Sequence, residues 1–235
     1  MRSDRRVMVQ LSANATSERS DRLQKLADAV GVPSPQPLPI PTSWFIAVVT
    51  PNTEKSCKQK LEALLAELHQ DTPPSVDADA RPQAYVPIQQ EVRIWPSTVK
   101  RKKVDKVLCP CYLFIRCSDA ERYQIACKAK FILHFVMDRA RTNDYGRSDF
   151  ARIPHIQMEH FMRMVGDAET PITIDPSQLQ VGRKVRIKTG RMAGLEGNIY
   201  RKPNGTTTIA LRVNMLGYAI MECPLELLEL VEEKA

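Results

Sequence analysis

The sequence predicts an α+β fold in two folded units, an antiparallel sheet of split βαβ order with helices on one face, then a small five-stranded β-barrel. Three observations predict it. Apolar runs and helical stripes follow one another as strand, helix, strand, strand, helix, strand between residues 44 and 137. The stretch 169–180, with Pro171 and Pro176, reads as a linker. Beyond it, short alternating runs are punctuated by Gly190, Gly194, Gly197 and Pro203-Asn204-Gly205, the pattern of a barrel that closes its own edges.

Residues 1–42 read as a flexible leader. Leu23, Leu26, Ala27 and Val30 allow a short helix, and the alternating prolines from Pro33 to Pro41 make an extended spacer. The first unit, 43–168, opens with Trp44-Phe45-Ile46-Ala47-Val48-Val49, a continuous apolar run suited to a buried strand. Cys57, Leu61, Leu64, Leu65 and Leu68 then share one helical stripe, which predicts a helix over 54–68. Ala84 to Ile94 reads as a strand interrupted by Pro87.

Lys106 to Cys117 reads as a third strand, apolar on both faces: Val107, Cys109, Cys111, Leu113 and Ile115 on one, Leu108, Pro110, Tyr112 and Phe114 on the other. Such a strand is either central in a two-sided core or keeps one face for a partner. Ser118 and Glu121 form a capping box that starts a second helix, and 131–137 makes a fourth strand. Residues 138–152 read as a loop, and Met158, Phe161, Met162 and Val165 mark a third helix. The last unit, 181–235, is the barrel.

Of the 235 residues 43% are hydrophobic, enough to bury a core, and the net charge of +7 favours an anionic partner. The six cysteines have no repeating spacing, which argues against a disulfide framework and for a reducing compartment. No run has the length and apolarity of a membrane span, and no signal-peptide core follows the basic start, so the expectation is a soluble cytoplasmic protein with no membrane partner.

Cys109-Pro110-Cys111 has no second pair to complete a zinc site, and no metal or other cofactor is expected. No nucleophile, base and orienting group fall together, so an enzyme is not expected. The charges point elsewhere. Lys100, Arg101, Lys102 and Lys103, with Arg93 ahead of them and Trp95 nearby, predict a basic hairpin able to touch nucleic-acid phosphates.

Trp44-Phe45-Ile46-Ala47-Val48, Tyr85-Val86-Pro87 and Cys109-Pro110-Cys111-Tyr112-Leu113-Phe114-Ile115 resemble, in that order, the N-terminal (NGN) domain of NusG-type transcription elongation factors. Val185 to Gly197 resembles the KOW motif of that family's SH3-like barrel, and Val213 to Tyr218 fits the loop and strand after it. The resemblance spans 43–231. It implies that Trp44, Phe45, Tyr85, Cys109, Pro110, Tyr112 and Phe114 dock on the clamp helices of RNA polymerase, with Arg93 and Lys100 to Lys103 beside non-template DNA. It also implies barrel loops at Gly190, Met192, Gly194, Leu195, Gly197, Met215, Leu216 and Gly217 that meet a small-subunit ribosomal protein or Rho.

The chain departs from the family's housekeeping pattern. Cys109 replaces an aromatic residue, Cys111 stands where glycine is common, and the leader is an addition. These features resemble specialised antitermination paralogues of the UpxY or RfaH kind, which act on long operons such as those for capsular polysaccharide. The rival reading is an RNA- or ribosome-binding KOW protein. An RNA-recognition module shares the strand order, but its basic-Gly-aromatic signature is missing here.

Overall fold

Strand β1 (Ser43–Val49) is the middle of the first sheet, and six of its seven residues come from the opening apolar run. The computed structural model describes residues 41–68, 82–94, 101–142, 146–177, 179–203 and 205–231. The expected leader, Trp95, Lys100 and Asn204 of the predicted turn lie outside them.

β1 pairs antiparallel with β5 (Tyr112–Cys117) on one side and with β6 (Ile132–Phe135) on the other. β2 (Gln83–Tyr85) adds to β5, and the short β9 (Arg152–Ile153) pairs with the start of β1. β3 (Ile88–Ile94) and β4 (Arg101–Val107) form a separate two-stranded hairpin. Helix α1 (Glu54–Leu68) has the predicted bounds and buries Cys57, Leu61 and Leu65. Helix α2 (Asp119–Lys128) starts at the predicted capping box. The Ser118 side chain accepts from the Glu121 amide, and the Glu121 carboxylate accepts from the Ser118 amide at 2.7 Å.

Three expectations for the first unit are corrected. The run 106–117 is not one strand. It breaks into a turn at 108–111, where Pro110 cannot donate to a ladder and Cys111 takes a left-handed φ of 67°. The segment 138–152 is not a loop but a second hairpin, β7 (Met137–Thr142) with β8 (Ser148–Phe150), followed by β9. Phe150 holds it to the sheet, its ring edge-on to Phe135 and covered by the Arg122 guanidinium at 3.6 Å.

Third, helices cover both faces of the first sheet rather than one. Phe45, Ala47, Val49, Leu113, Ile115 and Cys117 pack with Leu61 and Leu65 of α1 and Ile125 of α2. Trp44, Ile46 and Phe114 point the other way, against Met158, Phe161, Met164 and Val165 of α3 (His155–Asp167). A strand that is apolar on both sides needs both sides covered.

The second domain is one antiparallel sheet of six strands in the order β10-β14-β13-β12-β11-β15. Four lie where alternation and turns predict: β11 (Lys184–Ile187), β12 (Glu196–Arg201), β13 (Thr207–Val213) and β14 (Gly217–Glu222). A 3-10 turn at Leu225–Leu227 leads into β15 (Leu228–Leu230), which pairs back on β11. The sixth is β10 (Thr173–Asp175), inside the expected linker, paired with Tyr218–Ile220 of β14. Among the described residues β10 and β15 are the ends of the sheet and do not pair with each other, so the sheet has one strand more than the five expected and its pairing does not close it into a barrel.

The two domains share one apolar cluster. Phe161 and Met164 of α3 belong to the same buried group as Leu195, Leu211, Val213 and Leu216. Arg163 donates to the carbonyls of Arg191 (3.1 Å) and Ala193 (2.6 Å), and Gln157 accepts from the Asn214 amide at 2.9 Å.

Candidate functional site

The antiparallel register sorts the α3-side face of the first sheet into rows. Trp44 lies opposite Arg116 and Ile153; Ile46 lies opposite Phe114, which lies opposite Tyr85; Val48 lies between Tyr112 and His134. Directly opposed residues project from the same face. α3 begins at the Trp44 row, where the indole Nε1 donates to His155 Nδ1 at 3.2 Å, and the first two rows are buried except for half-buried Tyr85.

The third row is not buried. Val48 and Tyr112 are half-buried and His134 is exposed. A groove of about 680 Å³ runs beside it, lined also by Val136, Met137 and Arg139. Its other walls are the β6–β7 bend and Ser148 of β8.

The turn before Tyr112 is fixed by a buried carboxylate. Glu54, at the start of α1, accepts from the Cys111 amide at 2.7 Å and from the Asn52 amide at 3.2 Å. The Cys111 carbonyl accepts from the Val49 amide at 2.9 Å. These bonds hold Cys111 in its left-handed conformation and so present Pro110, which is exposed, next to Tyr112.

Of the seven residues expected at a docking face, the structure leaves three accessible: Pro110, Tyr112 and half-buried Tyr85. Trp44, Cys109 and Phe114 are on the right face but sealed beneath α3 and its neighbours. Phe45 is on the opposite face, because it is one residue out of phase with Trp44. Burial pushes the Cys109 thiol up to about 12, so it stays protonated at neutral pH and packs as a small apolar group. Among the described residues no three His, Cys, Asp or Glu side chains are grouped to hold a metal. Val48, His134 and Val136 were missed, although Val48 keeps the same alternation as Trp44 and Ile46.

The basic hairpin is as expected in outline. Arg93 pairs through its backbone with Lys102, and Arg101, Lys102 and Lys103 are exposed. None of the three has an ion-pair partner among the described residues, whereas Lys106 faces Glu91 at 3.9 Å and Asp105 binds Lys55 at 2.6 Å. Among the described residues, the cations of β4 without an ion pair are therefore at its start, Arg101 to Lys103.

The barrel loops divide differently from expectation. Leu195 and Leu216 are core residues, and Met192 packs on that core. Gly190 and Gly194 shape the loop that Arg163 grips, and Gly197 lies against Ile209. Gly217, at φ 96°, passes so close to Asp175 of β10 that a Cβ would sit 2.2 Å from its carbonyl oxygen. Met215 alone of these residues offers a large exposed apolar surface, 46% accessible.

The site thus combines a partly uncovered row on one antiparallel sheet, a basic hairpin beside it and a second antiparallel sheet packed on α3. The chain belongs to the NusG family: the family described as transcription termination factor NusG matches residues 42–181. Its coarse role follows from that membership, a factor acting in transcription elongation.

Among curated proteins none matches the chain. Among solved structures it is similar to Thermotoga maritima NusG, in a study of domain interaction, at 15% identity over 82% of this chain and 98% of that one, with a TM-score of 0.43. It is also similar to a chain of the MjSpt4:Spt5 complex in conformation A, at 12% identity over 81% of this chain and 99% of that one, with a TM-score of 0.25.

Proposed function

We propose that the protein binds the clamp helices of RNA polymerase through Tyr112 and its neighbours, suppresses pausing and termination, and serves particular long operons such as those for capsular polysaccharide. The observation that carries the docking surface is the Val48–Tyr112–His134 row, left open by α3 beside a groove. An apolar strip with polar ends is suited to receive a helix. Tyrosine suits such a surface because its ring is apolar and its hydroxyl tolerates water.

The hairpin cations Arg101, Lys102 and Lys103 then supply phosphate contacts to non-template DNA, without sequence choice. In the second domain, exposed Met215 is the contact for a small-subunit ribosomal protein or Rho. Specialisation for particular operons rests on the departures at Cys109 and Cys111.

The test is Tyr112→Ala, with binding to purified RNA polymerase and thermal melting measured on the same variant. Loss of roughly 1–3 kcal/mol of binding, about 5- to 150-fold in affinity, is expected with little change in melting. Full binding at full stability would remove Tyr112 from the surface. Co-sedimentation with ribosomal particles rather than polymerase would replace this reading with its rival.

A further inference from the structure

A second cavity, of about 530 Å³, lies at the seam between the two domains. Its walls are β7 from the first domain, the chain just after β10, and the β13–β14 turn. β7 is the partition between this cavity and the groove beside Tyr112: Met137 and Arg139 line the groove, Asp138 and Arg141 the seam.

Three arginines line the seam, Arg141, Arg152 and Arg212, with one carboxylate, Asp138. Arg152 is already engaged by Asp119 at 3.2 Å and Asp149 at 3.7 Å, and its buried Nε has no hydrogen-bond partner. Asp138 accepts from the Ala140 amide at 3.0 Å. Arg141 and Arg212 are exposed, and neither has an ion pair or side-chain hydrogen bond among the described residues. Packing of the two sheets therefore brings onto the same cavity two guanidinium groups, one from each side, that have no ion pair among the described residues. Like charges in a cleft repel each other and concentrate anions.

The rest of the wall is not that of a simple anion trap. Tyr218 is the cross-strand partner of Arg212, half-buried, and lines the cavity together with exposed Met215. Guanidinium forks match phosphate oxygens, and a tyrosine ring with a neighbouring thioether offers a face for a base. The volume is within the range of small-ligand pockets.

We propose that the seam binds a phosphate-bearing nucleotide, with Arg141 and Arg212 on the phosphate and Tyr218 against the base. The nucleotide is either free or part of a nucleic-acid strand. Because the occupant touches both domains, it favours their packed arrangement by its binding free energy. The site uses none of the residues assigned to polymerase docking.

Isothermal titration of the full chain with ATP, with a twelve-residue oligothymidylate and with tripolyphosphate tests it. At least one nucleotide probe should bind. Arg141→Gln and Arg212→Gln should each weaken it about tenfold. The triple variant Arg101→Ala, Lys102→Ala, Lys103→Ala should leave ATP affinity unchanged. Tyr218→Leu should weaken ATP but not tripolyphosphate. Arginine-dependent binding of ATP identifies a free nucleotide; the same dependence for the oligonucleotide alone identifies a strand. The proposal is overturned if neither nucleotide probe binds. It is equally overturned if the double arginine variant melts like wild type and binds as well, or if tripolyphosphate matches ATP and Tyr218→Leu changes neither.

Discussion

The two faces of the first sheet are built from the same β1, yet they are finished differently. Phe45, Ala47 and Val49 meet two helices, α1 and α2, and none of the three is more than 1% exposed. Trp44 and Ile46 meet only α3, and Val48, the next residue on that face, is left at the surface. One side is a closed core in which side-chain volume decides stability. The other is a core for two rows and a contact surface for the third. The difference teaches that burial on this face measures distance from α3, not hydrophobicity.

The largest expected effect tests the closed side. Phe45→Ala removes a fully buried ring that touches Phe135 edge-on. It should cost about 3–5 kcal/mol of stability in denaturant titration. On the other side, Tyr112→Ala should cost under about 1 kcal/mol by the same titration, because the residue is only half-buried. Equal costs at the two positions would erase the contrast.

The second domain has its own incompletely covered edge, β14, protected by the three residues of β10. Gly217→Ala should destabilise by about 2 kcal/mol, combining left-handed strain with the clash at Asp175. Hydrogen exchange at Thr173–Asp175 should accelerate; unchanged protection there would mean that β10 does not depend on Gly217.

Smaller still, Cys111→Gly should be neutral or stabilising by up to about 1 kcal/mol, since glycine adopts φ 67° without a Cβ penalty. A clear loss of stability would show that the Cys111 side chain packs better than its half-buried position suggests. The smallest effect is electrostatic. Hydrogen bonds from Lys184 and Arg186 lower the Glu196 carboxyl to about 2. Its folded value lies below its unfolded one, so its contribution is present above about pH 4.5 and is lost as pH falls toward 2. Glu196→Gln should flatten that part of the melting-versus-pH curve, most visibly at low salt.

Much of this was legible in the sequence where local chemistry decides. The stripe from Cys57 to Leu68 and the Ser118–Glu121 box fix two helices, because periodicity and capping are local. The break at 108–111 was masked by apolar residues that continue through the turn; Pro110 was its one sign in the sequence, and the φ of Cys111 completes it. β7 was hidden for the opposite reason: Asp-Arg-Ala-Arg-Thr has no apolar alternation, and its strand form depends on pairing with β8.

The candidate surface was half legible. Tyr112 and Pro110 were found by alternation, but which of the apolar residues are sealed depends on where α3 lies, and that is a tertiary fact. Arg141 and Arg212, which are 71 positions apart by their numbers, become neighbours only through packing of the domains.

The pairing of β10 with β14 also sets the length of a leash. While the pairing holds, residues 168–172 alone join α3 to the second domain, a reach of at most ~18 Å. If β10 peels away, the free tether runs from 168 to 183, and its reach grows to ~55 Å. The two lengths correspond to very different effective concentrations of one domain around the other. Three strand residues and the glycine that lets them approach therefore set how much chain lies free between α3 and the second sheet.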